Sequence, residues 1–180
     1  MQVTATGDYA GTAPQVTTAT SGTTTTVSAS CSGNCDLHLK ITVPAALAVR
    51  VQSGAAAILA DGLNGALEMH TDAGAITVRH PHGDLSLHSG AGGISLTDAA
   101  SPKADISTSD GGVDAAFTGT PGAVTIATGA GGVDLRVPAD GGYRITTHST
   151  GSTPQVDLQN SDGAAHTLSV RTADGGIHIH

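Results

Sequence analysis

Short bursts of apolar and polar alternation run along most of the chain. Leu67 and Met69 alternate with Glu68 and His70, and Leu85 and Leu87 with Ser86 and His88. Ile76 and Val78 alternate with Thr77 and Arg79, and Ile94 and Leu96 flank Ser95. A period of two belongs to a strand with one buried face. Between the bursts one hexapeptide returns: SGAAAI (Ser53 to Ile58), TDAGAI (Thr71 to Ile76), SGAGGI (Ser89 to Ile94), TSDGGV (Thr108 to Val113), TGAGGV (Thr128 to Val133) and TADGGI (Thr172 to Ile177). Its closing residue advances by 18 from Ile58 to Ile76 and again to Ile94, by 19 to Val113 and by 20 to Val133. Ile177 follows 44 later, and a weaker unit around Val156 divides that gap into 23 and 21.

A unit of about 18 residues with two short strands and two turns is one rung of a β-solenoid. A sandwich of hairpins has no reason to repeat one turn sequence at one period. The pattern therefore predicts an all-β, single-domain β-solenoid spanning 1–180. Its seven rungs are expected, in chain order, at 47–64, 65–82, 83–102, 103–121, 122–142, 143–164 and 165–180. Strands on successive rungs lie about 4.8 Å apart, so equivalent residues become vertical neighbours. The hydroxyl residue that opens each hexapeptide (Ser53, Thr71, Ser89, Thr108, Thr128, Thr172) falls on the inward parity. An internal hydroxyl ladder bonding turn amides and carbonyls is expected there.

Residues 1–46 break the period. They predict strands at Gln15–Thr20 and Thr23–Ser30, and a further run, Asp36–Val43, with Leu37, Leu39, Ile41 and Val43 inward. This portion reads as irregular opening rungs or an N-terminal cap. At the other end, Thr167–His180 reads as an uncapped last rung whose free edge invites strand pairing.

Composition agrees with the pattern. Among 180 residues there are 25 Gly, one Phe, two Tyr and no Trp, so the core must be aliphatic. Each interior Gly costs a helix about 1 kcal/mol, which excludes a helix bundle. A net charge of -8 repels phosphate backbones and argues against a nucleic-acid partner. No apolar run reaches the roughly 18 residues of a membrane helix, and no signal-peptide pattern opens the chain. Export or anchoring would rest on a segment outside this stretch.

The two cysteines lie in Cys31-Ser32-Gly33-Asn34-Cys35. Ser-Gly-Asn is turn chemistry, so a hairpin would bring the sulfurs to disulfide distance, and a disulfide implies a location outside the cytosol. The alternatives are a metal site completed by His38, at a spacing unlike usual zinc patterns, and two inert thiols.

Three stretches together resemble a bacterial β-strand-repeat domain family of unknown function that is grouped with adhesins. They are Ile41-Thr42-Val43-Pro44 leading to Val49-Arg50-Val51, the T-x-x-G-x-I/V units, and Leu135-Arg136-Val137-Pro138 followed by Tyr143-Arg144-Ile145. The resemblance covers about 40–180. It implies a β-solenoid held outside the cell, often by a membrane anchor, and brings no catalytic or cofactor residues.

Candidate chemistry is sparse. Asp114, Asp134 and Asp157 follow closing β-branched residues and are expected to stack outward on consecutive rungs, as a weak Ca²⁺ site or a solvated acidic stripe. His70 and His88 share a rung position, with His148 matching if its rung is aligned on Ser149, and His80 and His82 flank a proline. Paired imidazoles suit a transition metal. His178 and His180 read as strand exterior. No metal, cofactor or catalytic site is expected: GxSxG and HExxH are missing, and so narrow a rung cannot wall a cleft. Outward pairs such as Glu68/His70 and Asp105/Ser107 are too mixed for an ice-binding face. The expected role is a non-enzymatic extracellular module whose repetitive polar face meets an unidentified surface ligand. The alternative is a scaffold or filament subunit that self-associates through its terminal rungs.

Overall fold

The alternating bursts fold as parallel strands. In the computed structural model, which describes residues 1–10, 13–31 and 34–180 but not the side chains of 9, 10, 34 and 35, two seven-stranded parallel sheets are built from Ala45–His180. The first sheet contains β5 (Val49–Ser53), β7 (Leu67–Thr71), β9 (Leu85–Ser89), β11 (Lys103–Thr108), β13 (Ala123–Thr128), β15 (Tyr143–Ser149) and β17 (His166–Thr172). The second contains β6 (Ile58–Asp61), β8 (Ile76–Arg79), β10 (Ile94–Ala99), β12 (Val113–Phe117), β14 (Val133–Arg136), β16 (Gln155–Val156) and β18 (Ile177–Ile179). Ile58, Ile76, Ile94 and Val113 stand in one register column, as the repeat requires. This is a β-solenoid of about seven turns. Its interior is aliphatic: Ile76, Leu96, Ile106 and Ile126 are wholly buried, and inward residues on successive strands pack on one another.

Turns stack as tightly as strands. Ser89 Oγ donates to the Gly74 carbonyl at 3.0 Å and accepts the Gly92 amide at 2.9 Å. Thr108 repeats this with the Gly92 carbonyl at 3.0 Å and the Gly111 amide at 3.1 Å. Thr71, Thr128 and Thr172 also donate to the turn carbonyl of the adjoining rung. The expected hydroxyl ladder is present, and it serves buried amides and carbonyls that would each cost about 1–3 kcal/mol unpaired. Gly92 lies so close to the turn below that a Cβ would overlap the Gly74 carbonyl. Backbone packs on backbone there, and glycine alone leaves the room.

The order of the last rungs differs from the expectation. The strands run β15-β17-β13 in the first sheet and β16-β18-β14 in the second. The segment 165–180 is therefore inserted between 122–142 and 143–164, instead of following them. Ile177 pairs with Val133, and Thr172 pairs with both Thr128 and Ser149. The reason is turn geometry. TADGGI places Gly175 against the Gly131 carbonyl, as TGAGGV places Gly131 against that of Gly111. The intervening Ser149-Thr150-Gly151-Ser152 has no such Gly pair and takes the outer position. Ser149 still donates to the Gly175 carbonyl at 3.0 Å.

Thr167–His180 is thus an interior rung and not the open edge expected; the edge at that end is formed by β15 and β16. The outer rung is blunted. Asn160 Oδ1 accepts the Ile145 amide at 2.8 Å, and the Ser161 amide donates to the Tyr143 carbonyl at 2.8 Å. Pro154, with no N–H to donate, immediately precedes β16. Proline and a covering loop are common protections of a sheet edge.

Met1–Pro44 is a separate compact unit. β1 (Gln2–Ala10) pairs antiparallel with β4 (Asn34–Thr42), and β2 (Gln15–Ser21) forms a hairpin with β3 (Thr24–Ser30). These are two-stranded ribbons and not opening rungs. The run containing Leu37, Leu39, Ile41 and Val43 is not inward: Leu39 is 36% and Ile41 42% exposed. A two-stranded ribbon has no second layer of its own to cover that face. The expected Cys31–Cys35 pairing falls on Cys35, whose side chain lies outside the described residues.

Candidate functional site

Outward side chains form columns because the register is locked from inside. Val133 and Leu135 on β14 pair with Ile177 and Ile179 on β18, and all four are buried. Asp134 and His178, between them, must then face outward side by side. His180, directly after β18, stacks on His178, with ring centroids 4.3 Å apart and planes at 3°.

The insertion of β18 decides which carboxylates meet. Asp114 and Asp134 are register neighbours, as expected. Asp157 does not join them, because β18 separates β16 from β14. The expected three-carboxylate stack is replaced by an alternation of acid, imidazole and acid. His178 Nδ1 lies 3.4 Å from Asp134 Oδ2, and its Nε2 lies 3.1 Å from Asp157 Oδ2. His180 Nε2 lies 3.2 Å from Asp134 Oδ1. Arg136, one outward step along β14, places a guanidinium nitrogen 3.9 Å from Asp134 Oδ1.

The charges respond to one another. The hydrogen bond to Asp157 holds His178 above its ordinary value of 6.5 against partial desolvation, with further support from Asp134. Asp157 is drawn below the usual carboxylate range, first by its hydrogen bond with His178. For Asp134 the largest single influence is burial, which pushes upward. The hydrogen bonds and charges of His180 and His178 together outweigh it, and the carboxyl lies below the usual range.

Other candidates converge less. His70 and His88 stack at 4.9 Å with planes at 7°, but their nitrogens turn to different partners, Asp72 at 3.2 Å and Ser107 at 2.7 Å. His148 occupies the same column, as alignment on Ser149 required. It nevertheless stands beyond Arg171, Ala127 and Ser107 from that pair. His80 sits between Asp61 (2.9 Å) and Asp98 (3.6 Å) with a single imidazole. Among the described residues, Asp134, His178 and His180 are the one group of three potential metal ligands whose donor atoms all lie within 4.8 Å of one another.

Sequence reasoning singled out Asp134 and Asp157 but left His178 and His180 as exterior residues. A signal was present. The copies ending at Val133 and Ile177 match each other better than either matches the unit between them. Stacking like on like puts His178 beside Asp134.

The surface around these groups is open. The depression beside Asp134 and His178 is lined also by Val133, Thr153 and Gln155, and that beside His70 by Gln52 and Gly54; both are shallow. No helix among the described residues is long and apolar enough to cross a membrane. Comparison with family models, curated proteins and solved structures gives no match.

Proposed function

We propose that this chain is a non-enzymatic surface module of the cell exterior, acting through many weak contacts in the manner of adhesin-like β-strand-repeat proteins. The observation that carries this reading is the set of outward columns on the two parallel sheets. Arg50, Glu68, Ser86, Asp105, Thr125, Ser169 and Thr146 form one such column, with polar groups repeated at the strand spacing. Each position offers a hydrogen bond or a charge of small worth. Repetition on a stiff frame raises the effective concentration of every contact after the first. The resemblance to a bacterial repeat family supports the same reading, and the expected Cys31–Cys35 disulfide would suit an oxidising environment.

The test is binding of the fluorescent chain to glycan arrays and to cells, as free protein and densely displayed on beads. The proposal expects weak binding of the free protein and retention of the beads. Beads that bind neither array nor cells would overturn it.

A further inference from the structure

We propose that Asp134, His178 and His180 bind a divalent transition cation of the zinc class, with Asp157 orienting His178 from behind. Asp134 and His178 sit on adjacent parallel strands, with His180 directly after the second, and the register is fixed by the buried Val133–Ile177 and Leu135–Ile179 pairs. They converge without any loop having to order. Zinc held by nitrogen and oxygen at about 2.0–2.1 Å in a tetrahedron needs donors about 3.4 Å apart. His178 Nδ1 lies 3.4 Å from Asp134 Oδ2 and His180 Nε2 lies 3.2 Å from Asp134 Oδ1, so the carboxylate turns to offer one oxygen to an ion that both nitrogens share. One donor atom from each of the three residues lies within 4.8 Å of the other two, and binding turns the two rings out of their parallel stack so that their in-plane lone pairs meet on the ion.

Donor chemistry selects the metal. Two imidazoles and one carboxylate suit zinc, nickel or copper, whereas Ca²⁺ wants six to eight oxygens. The tautomers agree as well. If His178 ligates through Nδ1, its proton sits on Nε2, which faces Asp157 Oδ2 at 3.1 Å. A carboxylate accepting the second N–H of a ligating histidine fixes the ring and strengthens the donor. No other His–Asp group described combines these features: His80 has two acids but one imidazole, and the stacked His70 and His88 turn to separate partners. Arg136, 3.9 Å from Asp134, is a cation that opposes the ion. With three protein donors on an open face, a fourth position is left to water.

The experiment is calorimetric titration of the tag-free, chelator-stripped full chain with ZnCl₂ at pH 7.5 in a non-coordinating buffer, repeated with CaCl₂. One equivalent of zinc is expected and none of calcium. His178→Ala and His180→Ala should each weaken zinc at least tenfold, and Asp157→Asn by about 10–100-fold through the lost orientation. Arg136→Ala should tighten it, and His70→Ala should leave it unchanged. In proton NMR of the unaltered chain, the imidazole resonances of His178 and His180 should be the first to move. Absence of a zinc equivalent would overturn the site. So would full affinity in the doubly substituted His178→Ala, His180→Ala chain, which would leave these histidines as ion-pair partners of Asp134 and Asp157.

Discussion

Both units use Thr, Val, Ala and Ser, with Thr denser in Met1–Pro44 (11 of 44 residues) than in Ala45–His180 (14 of 136), and they bury these residues differently. In Ala45–His180 every strand but those of the two end rungs has parallel neighbours above and below, and the inward residues meet a second sheet. In Met1–Pro44 longer strands pair antiparallel in twos, and even the apolar positions remain partly exposed. Alternation alone therefore does not make a core. What distinguishes the solenoid is a turn that can be superimposed on itself, with a hydroxyl to bond it and a glycine to let it close. Once turns stack, every alternating burst acquires neighbours, and four-residue strands suffice.

This contrast can be broken first at the core. Ile106→Ala removes a fully buried side chain and should cost about 2–5 kcal/mol, whereas Ile41→Ala, at a 42% exposed position, should cost less than about 1 kcal/mol. Urea denaturation followed by circular dichroism compares them. Equal losses would contradict the difference in burial.

Next comes the turn. Gly92→Val drives a side chain into the Gly74 carbonyl and should cost about 3 kcal/mol. Gly22→Ala, in the β2–β3 turn, has a φ of 60° but open space around it. Its cost is left-handed strain alone, about 1 kcal/mol by the same measurement.

The hydroxyl ladder should come third. Ser89→Ala orphans the Gly92 amide and one bond of the Gly74 carbonyl, for about 2 kcal/mol. Thr18→Ala, on an exposed ribbon, should change stability by no more than about 0.5 kcal/mol.

The smallest effect belongs to the exposed Asp–His alternation. His178 is raised in the folded chain, so its contribution is complete below 6.5 and is lost as pH rises through the folded value. Asp134 and Asp157 are lowered, so theirs is present above 3.8 and is lost as pH falls through their folded values. With chelator present, the stability difference between the unaltered chain and His178→Gln should peak between these limits and shrink by pH 8.5. Thermal denaturation across that range checks it, and a difference that grows toward pH 8.5 would contradict it.

Much of the solenoid was legible because its constraints are local and repeated. The T-x-x-G-x-I/V unit declares the turn, and the parity of Leu67, Met69 and Thr71 declares the inner face. The ribbon strands β2 and β3 were legible from their Thr-rich alternation. β1 was not, since between Val3 and Tyr9 its alternate positions hold only Ala5 and Gly7. The order of the last rungs was hidden for another reason. Chain order is a sound guide only when each unit can stack on the one before it. Ser149–Ser152 cannot receive the turn of Ala173–Gly176 in the way that Thr128–Gly132 can. The same misordering concealed the site, since His178 reaches Asp134 only through the inserted rung.

That inserted rung is tested most directly by through-space contacts between methyl groups in the unaltered chain. The structure places Ile126 between Ile106 and Val170, and Val170 between Ile126 and Thr147. A NOESY spectrum should join Ile126 to Val170 and Val170 to Thr147, with no cross-peak between Ile126 and Thr147. A cross-peak between Ile126 and Thr147, with none between Ile126 and Val170, would put the rungs back in chain order and contradict the account.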